Sequence, residues 1–332
     1  INIVSRYLFS KIIALLAGIS LLAVAYFHNT NSVYGISGNA YGTYWSISSS
    51  EYIGDHHKEE IEKIINKIDL VASNYKAKSE INIINMNFNT NQFISDHLLN
   101  ILLIAKKVED ISEGYYNIMM GKVSSELGFA PDFEKNISQK EVSNYELNEN
   151  DKSLRRYSEN WFDLSSIAKG YAVQQIHEYL YTNNLRNHLI DIGGEIIING
   201  SKNGSPWSIG IQDPGSNYES PSVVIDNKNN NFLGIATSGE YRNYKVGSNG
   251  EIISHTINPK TLKSITNNTL SITVVDKSSV TYADAYATAF NAMGMEKAIN
   301  IANRNDIAIM VIFDDGNGQD ITYSNKWYDL DL

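Results

Sequence analysis

Six strand-like runs are interleaved with four helix-like ones along this chain, without the regular strand–helix–strand rhythm of a parallel sheet. That irregular order predicts an α+β architecture of mixed sheets and helices. The strand-like runs are Leu189 to Ile198, Trp207 to Ile211, Phe232 to Thr237, Ile252 to Ile257, Leu270 to Val275 and Ile307 to Phe313. A helix over Asp55 to Ser73 follows from the stripe Ile61, Ile64, Ile65, Ile68 and Val71. Ser95 is placed to cap a second, with Leu98, Ile101, Leu102, Ala105 and Val108 inward and Gly114 at its close. The third spans Ser166 to Leu180, and the fourth runs from Val280 to Met293 and stops near Gly294.

With 332 residues, 42% hydrophobic and 19% charged, the chain has the material for a large core and the balance of an ordinary globular protein. Neither an internal repeat nor a Pro-rich linker divides it, so one domain over 38–332 is the simplest organisation. The formal net charge of −10 argues against a basic face for nucleic acid or anionic lipid. The absence of cysteine excludes disulfides, thiolate catalysis and Cys-ligated zinc. Ahead of the domain, Arg6 and Lys11 precede the apolar stretch from Ile12 to Phe27. Together with Ala23-Val24-Ala25 this reads as a signal peptide over 1–30; counted from Leu8, it reads as an uncleaved membrane anchor. Either of these readings puts the body of the protein outside the cytoplasm; a buried core helix is the remaining reading of the segment.

Four segments carry chemistry-bearing residues. In Trp161-Phe-Asp163-Leu-Ser-Ser166-Ile-Ala-Lys169-Gly170 a short strand turns into a helix. Asp163 sits where an N-cap or a ligand carboxylate would, Ser165 and Ser166 offer amides, and Lys169 follows one turn on; a helix start of that kind attracts anions. Plain capping with a solvated lysine accounts for the same residues. Asp284 and Thr288, spaced i and i+4, point one carboxylate and one hydroxyl the same way, which suits Mg²⁺, although a local side-chain hydrogen bond is the simpler account of the pair alone. His255 lies just before the turn Asn258-Pro259, as a structural hydrogen-bonder or a proton acceptor. Thr237-Ser238-Gly239-Glu240-Tyr241-Arg242 places hydroxyls and a glycine after a strand.

In order and spacing these segments resemble the ApbE family of FAD:protein FMN transferases. Tyr41-Gly42-Thr43-Tyr44 matches the family's opening Met-Gly-Thr strand, and Tyr75-Lys-Ala-Lys-Ser79-Glu80 its Ser-Glu helix exit. Asp163-Leu-Ser-Ser-Ile-Ala-Lys-Gly170 resembles Asp-Leu-Gly-Gly-Ile-Ala-Lys-Gly. Gly193-Gly194-Glu195, Trp207 to Pro214, Thr237 to Tyr241, the His255 block and Ala283 to Thr288 follow in sequence. The chain departs from the pattern where Tyr41 replaces Met and where Phe-Asp-x-Thr reads Tyr116-Asn117-Ile118-Met119. It also departs at Asn258-Pro-Lys-Thr-Leu262, in place of Asp-Pro-Arg-Thr-Gly.

The resemblance implies a flavin cleft within a single domain, with FAD as substrate and Mg²⁺ as cofactor. Its metal ligands map to the Ser166 carbonyl, Asp284 and Thr288. Its flavin-binding positions map to Tyr41, Tyr115, Tyr116, Asn117, Asp163, Lys169, Thr237, Ser238 and His255. His255 and Asp284 are then the candidate catalytic residues. The implied reaction moves FMN onto a Thr or Ser hydroxyl of an acceptor protein and releases AMP. The implied acceptors are exported subunits of membrane electron-transfer complexes, such as Na⁺-pumping NADH:quinone oxidoreductase, on the periplasmic side. An Mg²⁺-dependent FAD pyrophosphatase and a non-catalytic FAD-binding protein are the alternatives.

Overall fold

The computed structural model describes residues 3–30, 32–87, 90–131, 144–215, 221–239, 244–246 and 252–332. Its spine is one antiparallel sheet of eight strands, laid side by side in chain order. They are β1 (Tyr34–Ala40), β2 (Thr43–Ser49), β3 (His188–Ile192), β4 (Glu195–Asn199), β5 (Leu233–Gly239), β6 (Thr269–Asp276), β7 (Ala308–Asp314) and β8 (Gln319–Tyr323). Each pairs with the next.

Two tight hairpins set one end of this sheet. Tyr41 and Gly42 join β1 to β2 with φ of 53° and 75°, and Gly193 and Gly194 join β3 to β4 at 65° and 105°. Left-handed backbone at both central residues is what a two-residue hairpin of matching twist demands. The expected strand over Leu189 to Ile198 is therefore two strands folded back on each other, because consecutive glycines favour the turn over a continuous ladder. Tyr41-Gly42 likewise forms a turn, and the strand begins only at Thr43. The Ile252 to Ile257 run also divides, into Ile252–Ser254 and Ile257–Asn258, with His255 at the break.

Side chains alternate between two cores. On β7, Ile309 and Val311 enter the larger, helix-covered core, while Met310 and Ile312 enter a second with Trp207, Ile225 and Trp327. A strand buried on both faces needs apolar residues at every position, which is why this segment reads as an unbroken apolar run.

Eight α-helices are described: α1 (Ile3–Thr30), α2 (Asp55–Ala72), α3 (Glu80–Met86), α4 (Asp96–Ile111), α5 (Gly121–Glu126), α6 (Ala168–Thr182), α7 (Val280–Met293) and α8 (Met295–Arg304). The stripes expected for α2 and α4 are the faces they bury, and the Ser95 hydroxyl caps α4 by accepting from Leu98 N. Helix α7 lies on β5 and β6 and packs along α6. The α1 side chains Leu15, Leu16, Ile19, Leu21 and Leu22 are exposed. No helix among the described residues is long and apolar enough to cross a membrane.

Candidate active site

The start of α6 meets the middle of α7. Gly170 N–H donates to Asp284 Oδ2 at 2.8 Å, so a first-turn amide of α6 finds its acceptor on another helix. A Cβ on Gly170 would fall 2.7 Å from Asp284 Cβ and 2.8 Å from the Val280 carbonyl, so this crossing requires glycine. Next to it, Lys169 Nζ pairs with Glu195 Oε2 at 2.6 Å, and the Glu195 side chain is only 4% exposed. Glu195 comes from the first position of β4, just after the Gly193-Gly194 turn.

This corrects the sequence reading of the helix start. Helix α6 begins at Ala168, two residues later than expected, with Ile167 at the N-cap position and no side-chain cap. Asp163 does not cap it: Asp163 Oδ1 accepts from Ser165 N at 2.9 Å, closing a local turn that also takes up one of the amides expected to be open. The helix start is satisfied through tertiary contact, so no local cap signal governs it.

The charges around this crossing do not balance. Burial is the main force pushing the Asp284 carboxyl well above the usual carboxylate range. The Glu195 charge adds to it, and Lys169 and the Gly170 N–H oppose it. Glu195 is raised too, first by burial and then by Asp191, against the pull of Lys169. Two buried carboxylates thus share one ammonium. A cation bound there would relieve both.

The segment 115–119 packs against the residues that lead into α6. Ser166 Oγ donates to the Tyr116 hydroxyl at 3.0 Å, and Asp163 N donates to the Ile118 carbonyl at 2.7 Å. Burial, with Asp284 nearby, holds the Tyr116 phenol far above its ordinary pKa, so it stays neutral. Asn117 Oδ1 accepts from Met119 N at 2.7 Å, while its Nδ2 donates to Glu109 Oε1 at 2.5 Å. An amide keeps the turn that an aspartate at this position would make, and adds a donor that aspartate lacks. Nearby, buried Asn85 fixes Phe162 by accepting from its N–H at 2.8 Å and donating to its carbonyl at 3.0 Å. Asn74 Nδ2 donates to that carbonyl at 2.7 Å.

A further group of contacts joins the end of β5 to the His255 turn. Thr237 and Thr273 share a hydroxyl–hydroxyl bond of 2.8 Å across β5 and β6, and Ser238 is buried. Asn291 Nδ2 donates to Thr256 Oγ1 at 3.0 Å and to Ser238 Oγ at 3.4 Å. Asn291 follows Asp284 by seven residues and Thr288 by three, so all three share a face of α7. Thr288 is half-buried, as is His255, whose ring meets Phe129 edge-on. Glu240, Tyr241 and Arg242 lie outside the described residues.

Two expected flavin contacts sit at the margin. Tyr41 is at the hairpin tip beside the Gly193-Gly194 turn, and its hydroxyl donates to the Ile65 carbonyl on α2 at 2.8 Å. Tyr115 has Lys260 Nζ 4.3 Å and Lys297 Nζ 4.6 Å from its ring centroid. The structure thus gathers Ser166, Asp163, Lys169 and Tyr116 around Asp284, and groups Thr237, Ser238 and the His255 turn further along α7. Sequence reasoning missed Glu195 and Asn291 as site residues. The first was visible within Gly193-Gly194-Glu195, and the second as a lone amide on the inward face of an apolar helix.

Asp284, Thr288 and the Ser166 carbonyl are hard oxygen donors, as Mg²⁺ prefers, and the carboxylate excess supplies the charge it needs. Among the described residues no group of three or more His, Asp or Glu could hold a metal.

Residues 41–313 match the model of the ApbE family. The chain is 32% identical over 335 aligned residues to the FAD:protein FMN transferase of Haemophilus influenzae, covering 94% of this chain and 95% of that one. It is 30% identical over 323 residues to the FAD:protein FMN transferase of Vibrio cholerae, covering 91% and 94%. The solved structure of the flavin transferase ApbE from Vibrio cholerae superposes with a TM-score of 0.78 at 26% identity, over 90% of this chain and 99% of that one.

Proposed function

The chain belongs to the ApbE family, and on that premise we propose that it transfers FMN from FAD to a Thr or Ser hydroxyl of an acceptor protein, releasing AMP. The observation that carries the mechanism is the buried pair Asp284 and Glu195 with Lys169 as their nearby cation. Such a place favours a divalent cation carrying substrate phosphate oxygens.

Asp284, Thr288 and the Ser166 carbonyl would hold Mg²⁺. When bound, it supplies Lewis-acid neutralisation of charge on the pyrophosphate. Gly170 N–H fixes the orientation of the Asp284 carboxylate, which would help to hold the ion. Lys169 holds Glu195 and adds positive charge beside the phosphates. Tyr116, kept neutral by burial, orients Ser166 through their hydroxyl bond. In the transfer step the acceptor oxygen bonds to the FMN-side phosphorus, the bond from that phosphorus to the bridging oxygen breaks, and AMP leaves with that oxygen. His255 takes the proton released by the hydroxyl. Asn291 supports it by anchoring Thr256 to α7. General-base assistance of this kind is worth about 10²–10⁴-fold.

The basic residues Arg6 and Lys11 before the apolar stretch support a second part of the proposal: 1–30 is an export signal rather than a membrane-spanning anchor, and the domain over 38–332 works on the periplasmic side. Exported flavoprotein subunits of membrane electron-transfer complexes are then the fitting acceptors.

Incubation with FAD and Mg²⁺, with and without a flavin-acceptor domain, tests the reaction. Flavin fluorescence fixed to the acceptor together with AMP is the expected result. Free FMN and AMP would make the protein a pyrophosphatase, and an unchanged FAD pool would make it a binder.

A further inference from the structure

The His255 ring meets the ring of Phe129, whose loop is tied down by bonds to its backbone. The Phe129 and His255 centroids are 6.3 Å apart with the rings at 70°, an edge-to-face contact. Lys245 Nζ donates to the Gly128 carbonyl and sits 5.1 Å from the Phe129 ring centroid. From the other side, the Tyr75 hydroxyl donates to the Phe129 carbonyl at 2.7 Å. Phe129 N and Ala130 N both donate to the Ser124 carbonyl, at 2.7 and 3.2 Å, closing the loop onto the end of α5. Tyr75, Ser124 and Lys245 thus hold the backbone on and around Phe129, while His255 and Lys245 meet its half-buried ring.

With its backbone fixed on these sides, the Phe129 ring is held edge-on against His255. We propose that Phe129 is a positioning residue for transfer: its ring sets the plane of the His255 imidazole, and Tyr75 and Lys245 hold Phe129 in place to do so. The proposal rests on the reading of His255 as proton acceptor. An imidazole accepts a proton only along the in-plane direction of its ring nitrogen, so a swivel about the side chain moves the acceptor off the hydroxyl. An edge-to-face neighbour resists that swivel, whereas an aliphatic side chain of similar bulk fills space without favouring one ring plane.

A double-mutant cycle decides it. Transfer to a flavin-acceptor domain is measured at saturating Mg²⁺, with kcat and the KM for FAD taken separately. Phe129→Leu is expected to lose about tenfold in kcat with the KM within about twofold of wild type. Phe129→Tyr, which keeps the ring, should stay within about twofold in both. In a His255→Asn background, Phe129→Leu should cost nothing further, because the residue it positions is gone. If Phe129→Leu proves unstable by thermal melting, Phe129→Met is put through the same cycle. An equal loss in both backgrounds, or none in either, overturns the positioning role. A wild-type rate for His255→Asn alone overturns the proton-acceptor reading itself, so the two failures are distinct.

Discussion

Gly170 and Asp284 are joined by a 2.8 Å hydrogen bond from the amide of one helix to the carboxylate of another, across 114 residues of sequence. The missing side chain of Gly170 matters as much as its amide. In Gly170→Ala the new Cβ meets Asp284 Cβ and the Val280 carbonyl at under 3 Å, and backbone cannot move aside cheaply. Forced overpacking of this kind costs about 1–3 kcal/mol. We expect a lower melting temperature and, because the carboxylate is displaced, a larger loss of FMN transfer than stability alone explains. Thermal melts and transfer assays on the same sample check both.

Asp284→Asn separates charge from shape. The amide retains an acceptor for Gly170 N–H but removes a carboxylate whose ionised form burial and Glu195 both disfavour. Its apo melting temperature should equal or exceed that of wild type. Mg²⁺ should raise the wild-type melting temperature, by linkage to binding, and leave the variant unmoved. Transfer should fall at least about a hundredfold, the scale of losing a group used in the transition state. A variant that is still stabilised by Mg²⁺ would remove Asp284 from the metal site.

A buried histidine pair predicts acid sensitivity away from the site. His188 Nδ1–H donates to the Leu185 carbonyl at 2.7 Å, which leaves Nε2 to accept from His177 Nδ1 at 2.9 Å. Burial lowers both from 6.5 to about 4, aided at His177 by the neighbouring ring and partly offset at His188 by the carbonyl. As pH falls, the unfolded chain binds these protons first. The contribution to stability is therefore whole above about pH 6.5 and lost as pH drops toward 4. The melting temperature should decline between pH 7 and 5, with a shallower slope in His177→Gln, which titrates about one proton fewer.

Asn117→Asp tests the departure from the family pattern. It would set a second carboxylate against Glu109, which burial already raises and the Asn117 bond partly relieves. Denaturant melts should show a loss of about 1–3 kcal/mol, the penalty for a partly buried polar group left without its partner. Glu109→Gln in the same chain should restore most of it, since a glutamine amide donates to the new carboxylate. Additive effects in that double variant would mean the two side chains are not coupled.

Much of this protein is legible along the chain because local chemistry and periodicity encode it. The stripe of α2, the Ser95 cap of α4, the unbroken apolar run of β7 and the Asp284-to-Thr288 spacing each depend on residues a few positions apart. So does the succession of motifs that resembles the ApbE family. What the sequence does not contain is partnership between distant segments. The sequence reading of Asp163 as a cap fails because the amide of Gly170 is satisfied by Asp284 from another helix. Glu195 joins the site only because a glycine hairpin folds it back toward Lys169. Asn291 becomes an anchor, and Phe129 a neighbour of His255, only once α7, the α5 loop and the His255 turn have converged. Hydrogen bonds and charges act over a few ångströms of space whatever the separation along the chain, so tertiary packing alone decides which of them meet.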